Sequence, residues 1–381
     1  MNSIQGCKQK RLCYIHFGVR NEPGLNKKLD AQIEQFKYAF SVNEIDLSTV
    51  NMITSTWSKL AYSFPFMYIS KYDYKSVLKY IDSEIIYIRR DKSDRYFVKF
   101  LREIKKKNMN SKILIEIPTY PYFKDDFNGI KSLPKLIKEI FAIPHFKNYV
   151  DRFVTYSNDK EIFGVPTIKV KNGIYVDQIA PRTPLGSDDN INILAVATFR
   201  KHHGYERIIK GLAEYYANRG ERNIVLRMVG EGEEKHNYET MVNKYGLNKH
   251  VVFLGKMLGE ELSHQYDIAD IALGSFGMYK IDVFNSSVLK IREYLAKGLP
   301  IVSGCHEDAF EDEKFNYYLE FPNDDSVIDI KKIVDFYDFI YSKKTYEDRV
   351  KITYIIHEYA KRQVNYDVVF KNVIDYLNGV V

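Results

Sequence analysis

An α/β protein made of two doubly wound parallel-sheet domains is the fold class that the sequence predicts, and three observations carry the prediction. Short runs of strand formers alternate with longer segments of helical period, the pattern of parallel sheets with crossover helices. The 381 residues are too many for one simple core and suit two domains of ordinary size. Between two such α/β series stands "VDQIAPRTPLGSDDN" (176–190), which gathers Pro, Gly, Ser and Asp without apolar period and reads as a linker.

In the first series the strands are expected at "LCYIHFG" (12–18), "EIIYIRR" (84–90), "KILIEIP" (112–118), "RFVTYS" (152–157) and "TIKVKNG" (167–173). Helices over 25–41 and 94–107 connect them. The second series has strands at 192–198, 224–230, 251–255, 271–275 and 299–303, with helices near 205–219, 235–246, 259–269 and 287–297. The tail, 345–378, is helical and amphipathic in places. The expected division is therefore an N-terminal domain, 1–180, a C-terminal domain, 181–355, and a last helical segment, 356–381, that packs back on the N-terminal domain. Open parallel sheets bind ligands outside the carboxyl ends of their strands, so the sites are expected to face a cleft between the domains.

Composition excludes several classes. A formal net charge of +6, from 56 Lys and Arg against 50 Asp and Glu, is too dilute to imply nucleic acid, but it suits a surface facing an anionic membrane or a phosphorylated substrate. Cys7, Cys13 and Cys305 are odd in number and at no metal-ligand spacing, which fits a reducing compartment. No apolar run reaches the roughly 20 residues of a membrane span, and the start of the chain has no long apolar segment before a small-residue cleavage site. A cytoplasmic protein is expected. The 31 Tyr and 23 Phe are a rich aromatic supply for core packing, sugar stacking or a membrane interface.

Three stretches of the second series carry the chemistry. "MVGEGEEKH" (228–236) ends a strand with Gly230, Glu231 and Gly232 and opens a helix, so backbone N–H groups there can meet a phosphate, although a tight turn explains the glycines equally well. A dinucleotide fingerprint would want a third Gly where Lys235 stands, which counts against a nicotinamide enzyme. "ATFRKHHGYE" (197–206) puts Arg200, Lys201, His202 and His203 on a loop at the carboxyl end of a strand, an anion site or a solvated basic loop. Paired histidines with no third ligand at a sensible spacing do not make a metal site. In "NSSVLKIREYLAKGLPIV" (285–302), Ser286 and Ser287 are candidate N-caps, and Lys290 and Glu293 share a helix face at i and i+3, the spacing of a surface ion pair.

Taken in order, the first-strand "FRKHHG", "VGEGEE", "VVFLG", "YDIADIALGS" and "LKIREYLAKGLPIV" resemble the donor-binding domain of retaining GT-B glycosyltransferases, the group related to glycosyltransferase family 4, over about residues 190–305. A fainter likeness covers "NEPGLNKKLDAQIEQF" (21–36), where Gly24 matches the family's substrate-side glycine, and "KVKNGIYVD" (169–177). The resemblance implies a GT-B architecture, two Rossmann-like domains facing across a cleft, and a hexosyltransferase-type transfer of sugar from a nucleoside diphosphate sugar with retention and without a metal. It implies that Glu293 binds the donor ribose and that Lys290 neutralises the diphosphate, making these two the catalytic candidates. It places Gly24, Arg200, Lys201, Gly230, Glu231, Gly232, Asn285, Ser286 and Ser287 around the donor as well. A UDP-sugar is favoured over a GDP-sugar, and no cofactor is expected.

Two departures from the family pattern stand out. Asn285 occupies the place of the first Glu of the family's E-x7-E pair. Thr198 and His203 occupy those of the usual Arg and Lys of the first loop, so that Arg200 and Lys201 would have to take the phosphate role. On the acceptor side, His16, Arg89, Glu116 and Tyr120, with Tyr122, follow or end N-domain strands. A front-face retaining reaction needs no catalytic base, because the leaving phosphate takes the acceptor proton. The expected acceptor is a glycan or polyprenyl-linked saccharide of a surface polysaccharide, met at the inner face of the cytoplasmic membrane. Two other readings remain open: a sugar-nucleotide 2-epimerase, and a nucleotide-sugar-binding subunit without catalysis. Arg292 has no role in any of them.

Overall fold

Uninterrupted apolar runs make the sheets of this protein, because a parallel strand is covered on both faces. A computed structural model describes residues 9–18, 23–64, 69–118, 120, 133–185 and 190–380. The chain divides into two compact units, Met1–Val170 with Val369–Val381, and Lys171–Val368.

In the first unit β1 (Arg11–His16) is followed by α1 (Pro23–Ala39), β2 (Ser41–Asp46), α2 (Thr56–Tyr62), α3 (Tyr74–Leu78), β3 (Ile85–Arg89), α4 (Arg95–Lys107), β4 (Lys112–Ile117), α5 (Leu133–Ala142), β5 (Arg152–Thr155), β6 (Glu161–Ile162) and β7 (Val165–Lys169). The strand order is β2-β1-β3-β4-β5-β7-β6, parallel except for the β6–β7 hairpin. All five residues of β3 are buried, and so are the last five of β1 and β4. By contrast β2, which sequence periodicity does not predict, is an edge strand; its "SVNEID" is polar because only one neighbour covers it. Asp94 starts α4 by accepting from Tyr96 N and Phe97 N at 2.8 and 2.9 Å.

The second unit contains β8 (Ile191–Val196), α6 (Glu206–Ala217), β9 (Ile224–Val229), α7 (Lys235–Lys244), β10 (Val251–Gly255), α8 (Gly259–Ile268), β11 (Ile271–Leu273), β12 (Asn285–Ser286), α9 (Leu289–Lys297), β13 (Ile301–Ser303), β14 (His306–Glu307), β15 (Tyr318–Glu320), α10 (Ile330–Tyr341) and α11 (Tyr346–Val364). Two short helices, α12 (Tyr366–Val369) and α13 (Lys371–Asn378), end the chain. The main sheet runs β10-β9-β8-β11-β13-β15, every pair parallel. This is the order of a dinucleotide-type fold, with its switch point between β8 and β11.

The division of the chain differs from 1–180, 181–355 and 356–381. The segment after Val170 is bonded into the second unit: Asn172 N donates to Ser287 Oγ at 3.0 Å, Asn172 O accepts from Arg292 Nε at 2.9 Å, and Ile174 N donates to Val364 O at 3.0 Å. The expected final helix is broken, because α11 buries Ile356, Tyr359, Ala360 and Val364 in the core of the second unit. The residues from Val369 onward belong to the first. There Phe370 stands edge-on to Phe36 at 5.9 Å, and Lys112 Nζ donates to Tyr376 O at 2.7 Å.

Candidate functional site

At the switch point of the second unit the loops after β8 and β11 are stitched together. Phe276 N donates to His203 O at 2.8 Å and Gly277 N to His202 O at 3.2 Å. Gly204 makes the approach feasible: its φ is +63°, and a Cβ there would lie 2.5 Å from Gly277 N. Lys280 Nζ reaches Lys201 O at 3.2 Å and pairs with Glu206. Behind this seam Lys290, in the first turn of α9, donates to Tyr205 Oη at 3.1 Å and to Gly274 O at 2.9 Å, and stands 5.4 Å from the centre of the Tyr205 ring.

The electrostatics of the seam are cationic. Burial pulls the Lys290 ammonium down to about 7, and only partly does the Glu307 carboxylate raise it again. Burial also drives His203 down to about 2, helped by the positive charges of Lys290 and Arg200, and His202 is lowered by burial and by Lys290. His203 is therefore neutral, with Nδ1 accepting from Arg200 N at 3.1 Å, so it is not one of the charged donors that the loop sequence offered. Arg200 and Lys201 remain exposed cations. Glu307, fully buried on β14, accepts from Ser303 Oγ at 3.1 Å, and burial lifts its carboxyl to about 7 against the pull of Arg292. Neither Tyr205 nor Glu307 carries a motif; Tyr205 reads as a core aromatic and Glu307 as one of several acids in "CHEDAFEDE".

Lys290 makes these contacts in place of the surface ion pair with Glu293 that the i, i+3 spacing also allowed, and Glu293 is half-buried on the same helix. The serine caps are a correction. The N-cap of α9 is Val288, with no side-chain cap, because Ser286 lies in β12 paired with Glu307 of β14 and Ser287 Oγ is engaged by Asn172 N and by Arg292 Nη2 at 3.0 Å. Arg292 acquires a role here. Fully buried, it pairs with Asp308 and donates to Asn172 O, Val288 O and Ser287 Oγ, locking the 171–172 segment and the entry of α9 together. Asn285 Nδ2 donates to Glu311 Oε1 at 2.6 Å, and its Oδ1 is buried without a hydrogen bond.

Gly230 and Gly232 are dictated by packing. A Cβ on Gly230 (φ +137°) would fall 1.8 Å from Ala197 O, and one on Gly232 (φ +153°) 2.4 Å from Phe199 O. That close approach lets Phe199 N donate to Glu231 O at 2.8 Å, so the loop after β9 lies against the loop after β8. The Glu231 side chain is exposed and pairs with Lys235 at 2.7 Å.

In the first unit, three of the acceptor-side candidates sit at the carboxyl ends of β1, β3 and β4, on both sides of that sheet's own switch point between β1 and β3. His16 is buried with Nε2 3.0 Å from Glu44 Oε1. Glu116, fully buried, accepts from Tyr87 Oη at 2.9 Å, Tyr156 Oη at 3.0 Å, and Arg89 Nη1 at 3.2 Å. Burial would raise its carboxyl, but Arg89, Lys28 and the two phenols outweigh burial and hold it below the usual range. This is a satisfied network. Tyr120 packs edge-on to Phe163 at 6.0 Å. Gly24 falls in the first turn of α1 and not in a loop; its surroundings, like Tyr122, lie outside the described residues. A cavity of about 440 Å³ lined by Tyr72, Tyr74, Tyr96 and Phe100 contains none of these candidates. Among the described residues no group of three His, Cys, Asp or Glu side chains comes together to hold a metal, and no helix is long and apolar enough to cross a membrane.

Residues 177–329, the segment that carries Lys290 and the seam, match the family described as glycosyl transferases group 1. No curated protein sequence matches the chain. Among solved structures, a glycosyltransferase from Rickettsia africae is similar over 98% of each chain, with a TM-score of 0.64 at 13% identity. The lipopolysaccharide outer core galactosyltransferase WaaB is similar over 97% of this chain and 100% of its own, with a TM-score of 0.61 at 13% identity. Anabaena HepE, in complex with UDP and glucose, is similar over 97% of this chain and 100% of its own, with a TM-score of 0.59 at 12% identity. The segment similar to group 1 glycosyl transferases is thus set in a whole chain with the GT-B fold.

Proposed function

We propose that this protein is a glycosyltransferase that moves a hexose from a nucleoside diphosphate sugar, a UDP-sugar, to a saccharide acceptor with retention at the anomeric carbon and without a metal, in surface polysaccharide synthesis in the cytoplasm. The observation that carries the reading is Lys290: an ammonium partly stripped of water at the start of a helix, behind a loop seam at the switch point, with Arg200 and Lys201 exposed on that seam. Such an ammonium gains most from an arriving diphosphate, because burial weakens its own hydration while strengthening its attraction for an anion.

In this reading Lys290 and the open N–H groups of α9 hold the diphosphate and stabilise the charge that develops on it as the sugar leaves. Arg200 and Lys201 neutralise it from the solvent side. Glu293 accepts from the ribose hydroxyls. The leaving phosphate takes the acceptor proton, so no separate base is assigned. HepE was solved with UDP and glucose and supports the choice of base and sugar class; work on trehalose-6-phosphate synthase, a further structural neighbour, concerns transfer with retention.

A thermal-shift series with UDP, GDP and ADP, followed by turnover of the matching nucleotide sugar with and without a saccharide panel, tests the proposal. A UDP-selective rise in Tm and acceptor-dependent turnover, both lost in Lys290→Ala and Glu293→Ala, are expected. No stabilisation by any nucleotide would sink the reading. Turnover of donor alone would make the protein an epimerase, and tight binding without turnover a non-catalytic subunit.

A further inference from the structure

The carboxyl edge of the second unit carries a further group of side chains that has no part in holding the diphosphate. Strands β12 and β14 pair in parallel, Asn285 beside His306 and Ser286 beside Glu307. Successive strand residues point to opposite faces. Ser286 and Glu307 are buried, so Asn285 and His306 share the face that is open to solvent. Asn285 offers that face little, because its Nδ2 donates to Glu311 Oε1 and its Oδ1 is buried. His306 offers more. Its Nδ1 stands 3.1 Å from Glu320 Oε2 while its side chain stays 44% exposed. Facing a carboxylate, Nδ1 carries the proton, which leaves Nε2 of the neutral ring as a hydrogen-bond acceptor. Glu320 is held in turn: Tyr318 Oη lies 3.0 Å from the same oxygen, and the Tyr318 ring stacks on Phe310 at 3.9 Å.

Next to Asn285 in the chain stands an apolar ring. Phe284 is 64% exposed. The backbone on either side of it is pinned: Val283 O accepts from Asn323 Nδ2 at 2.8 Å, Val283 N donates to Met278 O at 3.1 Å, and Asn285 is tied into the ladder with His306. An exposed ring on a fixed backbone, close to a directed acceptor, fits a hexopyranose, which has C–H faces for an aromatic ring and a rim of hydroxyls that donate. Groups already held in place lose little entropy when such a ring arrives. The two carboxylates tied to this face, Glu311 and Glu320, disfavour an anionic sugar. The connection from β12 leads straight into α9 and Lys290, so a sugar carried on the diphosphate starts close by.

We propose that Phe284 and His306 read a neutral hexopyranose, Phe284 by stacking on its C–H face and His306 Nε2 by accepting from a hydroxyl, with Glu320 as the positioning residue of the imidazole. The inference rests on the glycosyltransferase reading for the source of that ring, which is the donor hexose or the acceptor saccharide.

Titration calorimetry of the full-length protein compares UDP with UDP-glucose and UDP-galactose, and saturation-transfer NMR follows methyl α-glucoside and methyl α-galactoside with and without UDP. If the ring is the donor's, Phe284→Ala and His306→Ala lower affinity for the UDP-sugar about tenfold and leave that for UDP within about twofold. Loss of the glycoside signal alone makes it the acceptor's. His306→Gln, whose amide oxygen can stand in for Nε2, and Glu320→Gln, whose oxygen still accepts from Nδ1, keep most of the binding, whereas Glu320→Ala does not. Methyl glucuronide is expected to give no transfer. None of the three side chains is buried, and an unchanged circular dichroism spectrum shows that the variants are folded. Unchanged UDP-sugar affinity and glycoside signal in Phe284→Ala and His306→Ala overturns the proposal. So does an equal fall in affinity for UDP, which would give these residues to the nucleotide. A wild-type protein that binds no nucleotide fails the donor reading instead; the glycoside signal without UDP, and its loss in the variants, then decides the subsite.

Discussion

Replacing Lys290 by Met removes an ammonium whose ordinary value of 10.5 is drawn down to about 7 by burial. In the free protein Lys290 is then half protonated at pH 7 and about one part in a hundred protonated at pH 9. A bound diphosphate favours the charged form, so binding takes up a proton across this range, and affinity for UDP falls about fiftyfold from pH 7 to pH 9 if the complex stays protonated. The nucleotide does not contribute, because its own second ionisation, near 6, is complete by then. Titration calorimetry in buffers of different ionisation enthalpy reads both the affinity and the proton taken up. In Lys290→Met the uptake vanishes and the pH dependence flattens. The same lysine sets a stability trend in the absence of nucleotide. The unfolded chain keeps the proton up to about 10.5 and the folded chain releases it near 7, so the penalty is full below pH 7 and stability rises as pH climbs through the window between them. Affinity for UDP that is flat between pH 7 and 9 in the wild-type protein would refute the placement of the diphosphate beside Lys290.

Arg292→Met leaves the Asp308 carboxylate buried without its partner and frees Asn172 O and Ser287 Oγ, so it should cost about 3–5 kcal/mol of stability in urea unfolding followed by circular dichroism. A cost under about 1 kcal/mol would mean that the arginine is not a structural lock. Gly230→Ala should cost at least about 3 kcal/mol or prevent folding, since its Cβ meets Ala197 O at 1.8 Å in a backbone conformation closed to L residues. Gly246→Ala is the control: φ is +67° but nothing lies within 4 Å of the new Cβ, so only about 1 kcal/mol is expected, read by the shift in Tm.

The central strands were legible because burial on both faces forces a run of apolar residues with no alternation: "CYIH", "IIYIR" and "ILIEI" allow few other readings. The edge strand β2 and the two-residue strands β12 and β14 were not, since a strand covered on one side or held by two residues leaves no period to detect. The serines before α9 were read as caps by their type, and that reading failed because the arginine of the next turn and the backbone of residue 172 compete for the same hydroxyl. Helix α11 lost its expected partner for a similar reason: an amphipathic face tells that it is buried, not against which unit.

Sequence alone determined that the chain is α/β and doubly wound, that the basic loop of residues 200–203 lies at the carboxyl end of a strand, and that Lys290 lies on a helix. These follow from period and from residue type, which are local. Tertiary structure alone decided that His203 is neutral, that Gly230 and Gly232 answer to the carbonyls of Ala197 and Phe199, and that Lys290 donates to Tyr205 and Gly274 while Arg292 locks its helix to residue 172. Those outcomes depend on desolvation and on contacts between segments far apart in the chain, and no pattern within one segment encodes either.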